Sequence, residues 1–288
     1  AMTLRDERDS LLDELGQYGR MDVTEDATGF CFVDFEGVRF IDDHRCNNIG
    51  LNSAKGTGFY TPYWPQQSDA ANEKYVSVFR LEDAISTEMN TDIGGIKSKM
   101  LARGDRYGVA SDLTTNEAYD KISRSTVMEV EAQIDTLFSR IVKAMNDVYC
   151  PNVESQEEIT SVDGTVYPAG TKILDADNCA RGVDGKLPPR ELFTRVGVDR
   201  YTEVTGTDGK TYYIYNEEDP NNTSTMYSIG SVSINSDLKR QITLMPAYTA
   251  NGAVDYDFGH RLANAWNVKD MVLSPDDQKP CTFEEYYD

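Results

Sequence analysis

The chain has 288 residues, enough for two domains with separate cores, and its 39% hydrophobic content lies well above that of a disordered chain. A net charge of −21 would repel nucleic-acid phosphates and anionic membrane surfaces, which argues against both as partners. No apolar run nears the ~20 residues that a bilayer span needs, and no basic segment leads into an apolar one as in a signal peptide.

The first element predicted is a helix over 3–18, capped by Thr3 with Asp6 in its first turn and released at Gly16 and Gly19. Ala1-Met2, opening straight onto it, reads as a start other than the native one. Leu4, Leu11 and Leu15 mark its apolar stripe, with Leu12 and Tyr18 beside them. From residue 21 the pattern changes to period two, and GFCFVDF followed by VRFI predicts a hairpin turning at Glu36-Gly37. Residues 43–72, polar and carrying TPYWP at 61–65, read as a long loop, and YVSVFRL at 75–81 reads as a strand. Thr91-Asp92 opens a helical block with Ile96, Met100 and Leu101 on its apolar face, broken at Gly104 and Gly108.

The strongest pattern lies between 116 and 150. Val127, Ile134, Ile141 and Val148 recur every seven residues, and Val130, Leu137 and Ala144 fall three later. That is the seam of a coiled coil, kept for about three heptads, and it asks for a partner helix. The stripe of helix one offers that partner. Phe138, Val142 and Met145 widen the apolar band, so an amphipathic helix on a globular core stays open as the alternative. Pro151 ends the helix. Beyond it the chain is β-rich to 235, with hairpin signals at Asp163-Gly164 and Asp208-Gly209 and a strand in MYSIGSVSIN. A helix follows over 256–268, with Phe258, Leu262, Ala265 and Trp266 on one stripe. Thr282 and Glu285 then form a capping box seven residues from the end, as of a helix cut short.

Catalytic signals are weak. The two histidines, His44 and His260, sit in unrelated contexts, and HExxH, GxSxG, GxGxxG and the P-loop pattern are absent. His44 and Cys46 share a loop, which reads more simply as an exposed histidine and a small cysteine than as a nucleophile and its base. Cysteines at 31, 46, 150, 179 and 281 form no CxxC pair. Their odd number and long spacing suggest free thiols and a reducing or anoxic life, with one or two disulfides as the alternative. Asp175, Asp177 and Asn178 resemble a calcium loop loosely, but Cys179 takes the third ligand position and no Glu stands at the twelfth. Tyr63 and Trp64 are the residue types that stack on sugars, although aromatics in such loops more often pin the loop to its own domain. No catalytic, cofactor or metal residues are assigned.

The order of segments resembles the flagellar hook-associated protein FlgK family. LRDERDSLLDELGQYGRMDVTED is similar to that family's xDxRDxLxxEL helix running into VxVxED, and TDIGGIKSKMLARGD to its GGxLxGLLxxRD block. SIGSVSINSDLKRQITLMPA resembles its strand and SxNxxL turn, DFGHRLANAW its DNxxAxxLAxL helix, and KPCTFEEYYD the TxxEYY start of its final helix. The family's Asn-His pair after the long helix is reduced to Asn146 with Tyr149, and residues 43–72 and 151–222 match little.

The resemblance implies a non-enzymatic structural subunit at the hook–filament junction, exported by the flagellar type III apparatus to the extracellular flagellum and needing no cofactor. Its partners would be the hook protein, the second junction protein and further copies forming a helical layer, with neither nucleic acid nor membrane. The fold expected is α+β, a discontinuous helical rod of paired long helices with β-rich inserted domains. Residues 1–20, 92–150 and 256–288 would form the rod, 21–91 one β-rich segment and 151–255 an outer one. The pairing seam would be Leu4, Leu11 and Leu15 against Val127, Val130, Ile134, Leu137, Ile141 and Val148. The rivals are an extracellular carbohydrate-binding or adhesin-like β module centred on Trp64 and a glycoside hydrolase with unplaced carboxylates.

Overall fold

Glu36 and Gly37 both adopt positive φ, 52° and 79°, which the right-handed twist of a two-residue hairpin turn requires. In the computed structural model, which describes residues 2–42, 44–53, 58–277 and 279–287, this turn lies in the first of two bodies. The first comprises Ala1–Gly108 and Lys121–Val130; the second comprises Val109–Asp120 and Glu131–Asp288.

The first body opens with helix α1 (Met2–Gly16) and an antiparallel meander of β1 (Met21–Glu25), β2 (Cys31–Phe35) and β3 (Val38–Ile41). The predicted alternation holds in β2, where Val33 and Phe35 are buried and Cys31, Phe32 and Asp34 are only partly so. Residues 43–72 carry more order than a loop. β4 (Gly50–Ser53) and β5 (Tyr60–Tyr63) pair antiparallel there, while 43 and 54–57 lie outside the described residues, as does Ala1. The expected strand at 75–81 is a run beside β5, joined by the Tyr63–Ser77 bridge and the bonds Trp64 N–H to Val76 O and Val78 N–H to Pro62 O. Val78 and Phe79 enter a core with Phe35, Trp64 and Met100, the last from helix α2 (Gly95–Arg103). Gly104 ends α2 at φ 79°. A Cβ there would stand 2.1 Å from Met128 Sδ, so glycine is required twice over.

The expected helix over 116–150 divides in two. α3 (Asn116–Ile122) stops, Ser125 donates its hydroxyl to Ala102 O and accepts from Met128 N–H, and α4 (Thr126–Tyr149) begins. Within the second body, β6 (Asn152–Glu154), β9 (Lys172–Leu174), β11 (Tyr201–Thr205) and β12 (Thr211–Tyr215) form an antiparallel sheet in the order β11-β12-β9-β6. The hairpin of β7 (Ile159–Thr160) and β8 (Val166–Tyr167) turns at Asp163-Gly164, and that of β11 and β12 at Asp208-Gly209, as predicted. β10 (Phe193–Arg195) pairs with β13 (Val232–Ile234). Short helices α5 (Ser236–Arg240), α6 (Phe258–Ala265) and α7 (Phe283–Tyr287) complete the chain. α7 starts with the predicted capping box, Thr282 N–H to Glu285 Oε2 at 2.9 Å and Glu285 N–H to Thr282 Oγ1 at 3.2 Å. All five cysteines are free.

The expected rod of paired long helices is therefore corrected. Among the described residues the chain is a mixed α/β protein of seven short helices, the longest with 24 residues, and several small antiparallel sheets. The reason lies in which side of α4 is buried. The enclosed positions are Met128, Ala132, Asp135, Ser139, Val142, Asn146 and Tyr149, one or two residues on from the apolar seam. Loops and strands, not a second long helix, satisfy Asp135 and Asn146 of that stripe.

Candidate functional site

Two polar side chains on the buried stripe of α4, Asp135 and Asn146, set the chemistry of the second body. The Asp135 carboxylate accepts from Ala110 N–H at 2.8 Å, Ile229 N–H at 2.7 Å and the Ser228 hydroxyl at 2.9 Å. Asn146 acts as a peptide group in side-chain form. Its carbonyl accepts from Leu192 N–H (3.1 Å) and Phe193 N–H (3.0 Å), and its amide donates to Phe193 O (2.8 Å) and Glu191 Oε2 (3.0 Å). The same Glu191 oxygen accepts the Tyr227 hydroxyl at 2.8 Å. Burial holds the Glu191 carboxyl above the ordinary range for its type, opposed by the Tyr227 hydrogen bond and the nearby arginines.

Arg200 joins this network. Its guanidinium donates to Asp147 Oδ1 at 2.5 Å, Tyr227 Oη at 3.1 Å and Cys150 O at 3.1 Å, and lies over the Tyr215 ring at 5.1 Å. Arg195 stacks over Tyr227 at 4.8 Å and donates to Thr225 O and Asn216 O. Burial pushes the Tyr227 and Tyr201 hydroxyls and the Cys150 thiol upward, and Tyr215 to about 12. These groups therefore stay neutral near pH 7. The Cys150 thiol, fully enclosed and donating to Pro189 O, offers no thiolate nucleophile. The arrangement is a fixed polar joint between α4, the 189–193 segment and β11, built to hold shape.

Beside it a groove of about 560 Å³ is lined by Arg140, Lys143, Asp147, Lys172, Glu217 and Glu218, among others. Its charges cancel in pairs: Lys172 with Glu217 at 3.0 Å, Lys143 with Glu218, and Asp147 with Arg200.

The sequence-predicted seam is split. Leu137 and Ile141, with Ala144, pack on the cluster of Met271, Phe283 and Tyr286, so α7 docks on this part of α4. Leu15 packs on the core of the first body, and Val148 is half-buried. The others face solvent: Leu4 is 71% exposed, Leu11 60%, Val127 43%, Val130 47% and Ile134 53%. Trp64 is 0% exposed, which leaves its indole no face for a sugar. His44 and Cys46 are both exposed, and the Asp175 carboxylate is taken by Asn178 N–H and Nδ2. Among the described residues no group of three or more His, Cys, Asp or Glu is placed to hold a metal ion. Sequence reasoning missed the polar joint. Its signal was Asp135, Ser139 and Asn146, spaced by four and seven on one side of an otherwise amphipathic helix.

No protein-family model matches the chain, and no curated protein matches it.

Proposed function

We propose that this chain is a non-enzymatic structural subunit of the bacterial flagellum, acting at the hook–filament junction. The observation that carries the reading is the uncovered apolar row of Val127, Val130 and Ile134 on α4, a helix whose other side is fully built in. Uncovered apolar residues in a row mark a surface that another protein covers, and Leu4 and Leu11 on α1 have the same character. The FlgK-like blocks supply the identity of the assembly: LRDERDSLLDEL, TDIGGIKSKMLARGD, SIGSVSINSDLK, DFGHRLANAW and TFEEYY, in family order. The joint of neutral tyrosines, buried thiol and paired arginine suits a part under mechanical load, because it resists deformation and has no reactive group to expose. In this reading neighbouring copies, the hook protein and the second junction protein cover the apolar rows, outside the cell after export by the flagellar apparatus.

The test is genetic. A strain of the source bacterium lacking this chain is expected to build hooks, shed filament protein into the medium and lose motility, with all three restored by the intact gene. Full-length filaments in the deletion strain would overturn the proposal.

A further inference from the structure

The first body holds a cavity whose lining carries more positive than negative side chains, in a chain of net charge −21. It measures about 280 Å³ and is lined by Arg20, Glu36, Arg80, Asp83, Thr91 and Lys97, among others. Lys97, on the first turn of α2, is only 4% exposed. Among the described residues no hydrogen bond or ion pair engages its ammonium. The stem is enclosed while the residue lines the cavity, so its charge is delivered to a confined space where a counter-charge is favoured. The Nε of Arg20 is buried without a partner. Arg80, at the exposed rim, forms no ion pair among the described residues. Of the two carboxylates in the lining, Glu36 is already bonded, accepting Arg20's backbone N–H at 2.7 Å.

The walls are fixed before any ligand arrives. Glu36 N–H donates to Arg20 O at 2.8 Å, Gly95 N–H to Gln17 O at 2.9 Å and Ile96 N–H to Tyr18 O at 3.2 Å. Gly94 has φ 109°, and a Cβ there would stand 2.7 Å from Gly19 Cα, so the 17–20 turn and the start of α2 meet backbone to backbone. Two of the helix's first amides are spent on that contact. The attraction for an anion therefore comes from the side chains.

We propose that this cavity binds a small oxyanion of the phosphate and sulfate class, with the Lys97 ammonium and the Arg20 and Arg80 guanidiniums as donors. Charge-assisted hydrogen bonds from a lysine and two arginines are the usual means of holding such an anion. The inference is independent of the junction reading.

The test is calorimetric titration of the whole chain with inorganic phosphate and with sulfate, against sodium chloride at equal ionic strength. Saturable binding of either oxyanion, and none of chloride, is expected. Lys97→Met keeps the buried stem and removes the charge, and is expected to weaken binding about tenfold or more. Arg80→Gln lies at the exposed rim and tests the same point without burdening the fold, with a several-fold loss expected. Asp83→Asn removes a repelling carboxylate and is expected to tighten binding. An absence of saturable heat with both oxyanions would overturn the proposal. So would unchanged affinity in Arg80→Gln together with weaker affinity in Asp83→Asn.

Discussion

Asn146 gives the sharpest test of how the second body is held. It is completely buried and makes four hydrogen bonds, three of them to the backbone of Leu192 and Phe193. Asn146→Ala orphans two N–H groups and one carbonyl and removes a donor from the Glu191 carboxylate. An unmet buried polar group costs about 1–3 kcal/mol. A water entering the vacated polar space recovers part of the loss, so about 3–5 kcal/mol is expected overall. The assay is urea unfolding followed by tryptophan fluorescence. The chain has two tryptophans, Trp64 in the first body and Trp266 in the second, so a Trp64→Phe background reports the second body alone. With a slope of about 2 kcal/mol/M, the midpoint should fall by about 2 M. Asn146→Asp keeps the acceptor for both amides but sets a second carboxylate against Glu191. It should be as damaging at neutral pH and recover partly in mild acid, where one carboxyl takes a proton. A midpoint shift below about 0.5 M for Asn146→Ala would refute the view that this side chain is the joint.

Burial raises the Glu191 carboxyl above its ordinary value of 4.5, so between that value and the raised one the folded chain keeps a proton that the unfolded chain has lost. Stability contributed there falls as pH rises. Trp266 unfolding midpoints measured across that window should show this slope, and Glu191→Gln should flatten it. Asp255, held low by its hydrogen bond from Arg261, acts with opposite sign in a separate window below 3.8. Gly104→Ala combines a positive φ with a Cβ against Met128 and should destabilise the first body by about 1–3 kcal/mol, read by Trp64 fluorescence in urea. An unchanged midpoint would show that the turn adapts. Replacing Val127, Val130 and Ile134 together by serine should change thermal stability little, since exposed positions usually contribute within about 0.5 kcal/mol each. In the cell the same variant should lose filament attachment; a folding defect in the purified chain would place these side chains in the core instead.

The sequence by itself determined what depends on near neighbours in the chain. Glu36-Gly37, Asp163-Gly164 and Asp208-Gly209 turn where they were expected, because each turn needs a positive φ that its own residues supply. The Thr282–Glu285 box caps a helix for the same local reason. Pro151 stops α4, since it can neither donate a backbone hydrogen bond nor clear the preceding turn. Contacts distant in sequence decided the rest. β4 (GLNS) and β5 (YTPY) bury no residue fully, so their sequences carry no apolar alternation to read. The seam on α4 was a true record of where the apolar side chains are. Periodicity marks the side of a helix fit to be covered, but the partner decides which side is covered. Asn146 finds its partners at 191–193 and Asp135 at 228–229, far along the chain. Hydrogen bonds closed over those distances turned a polar stripe inward. Leu137, Ile141 and Ala144, where α7 arrives, had their apolar side covered, Val148 is half-buried, and Val127, Val130 and Ile134 stayed in water.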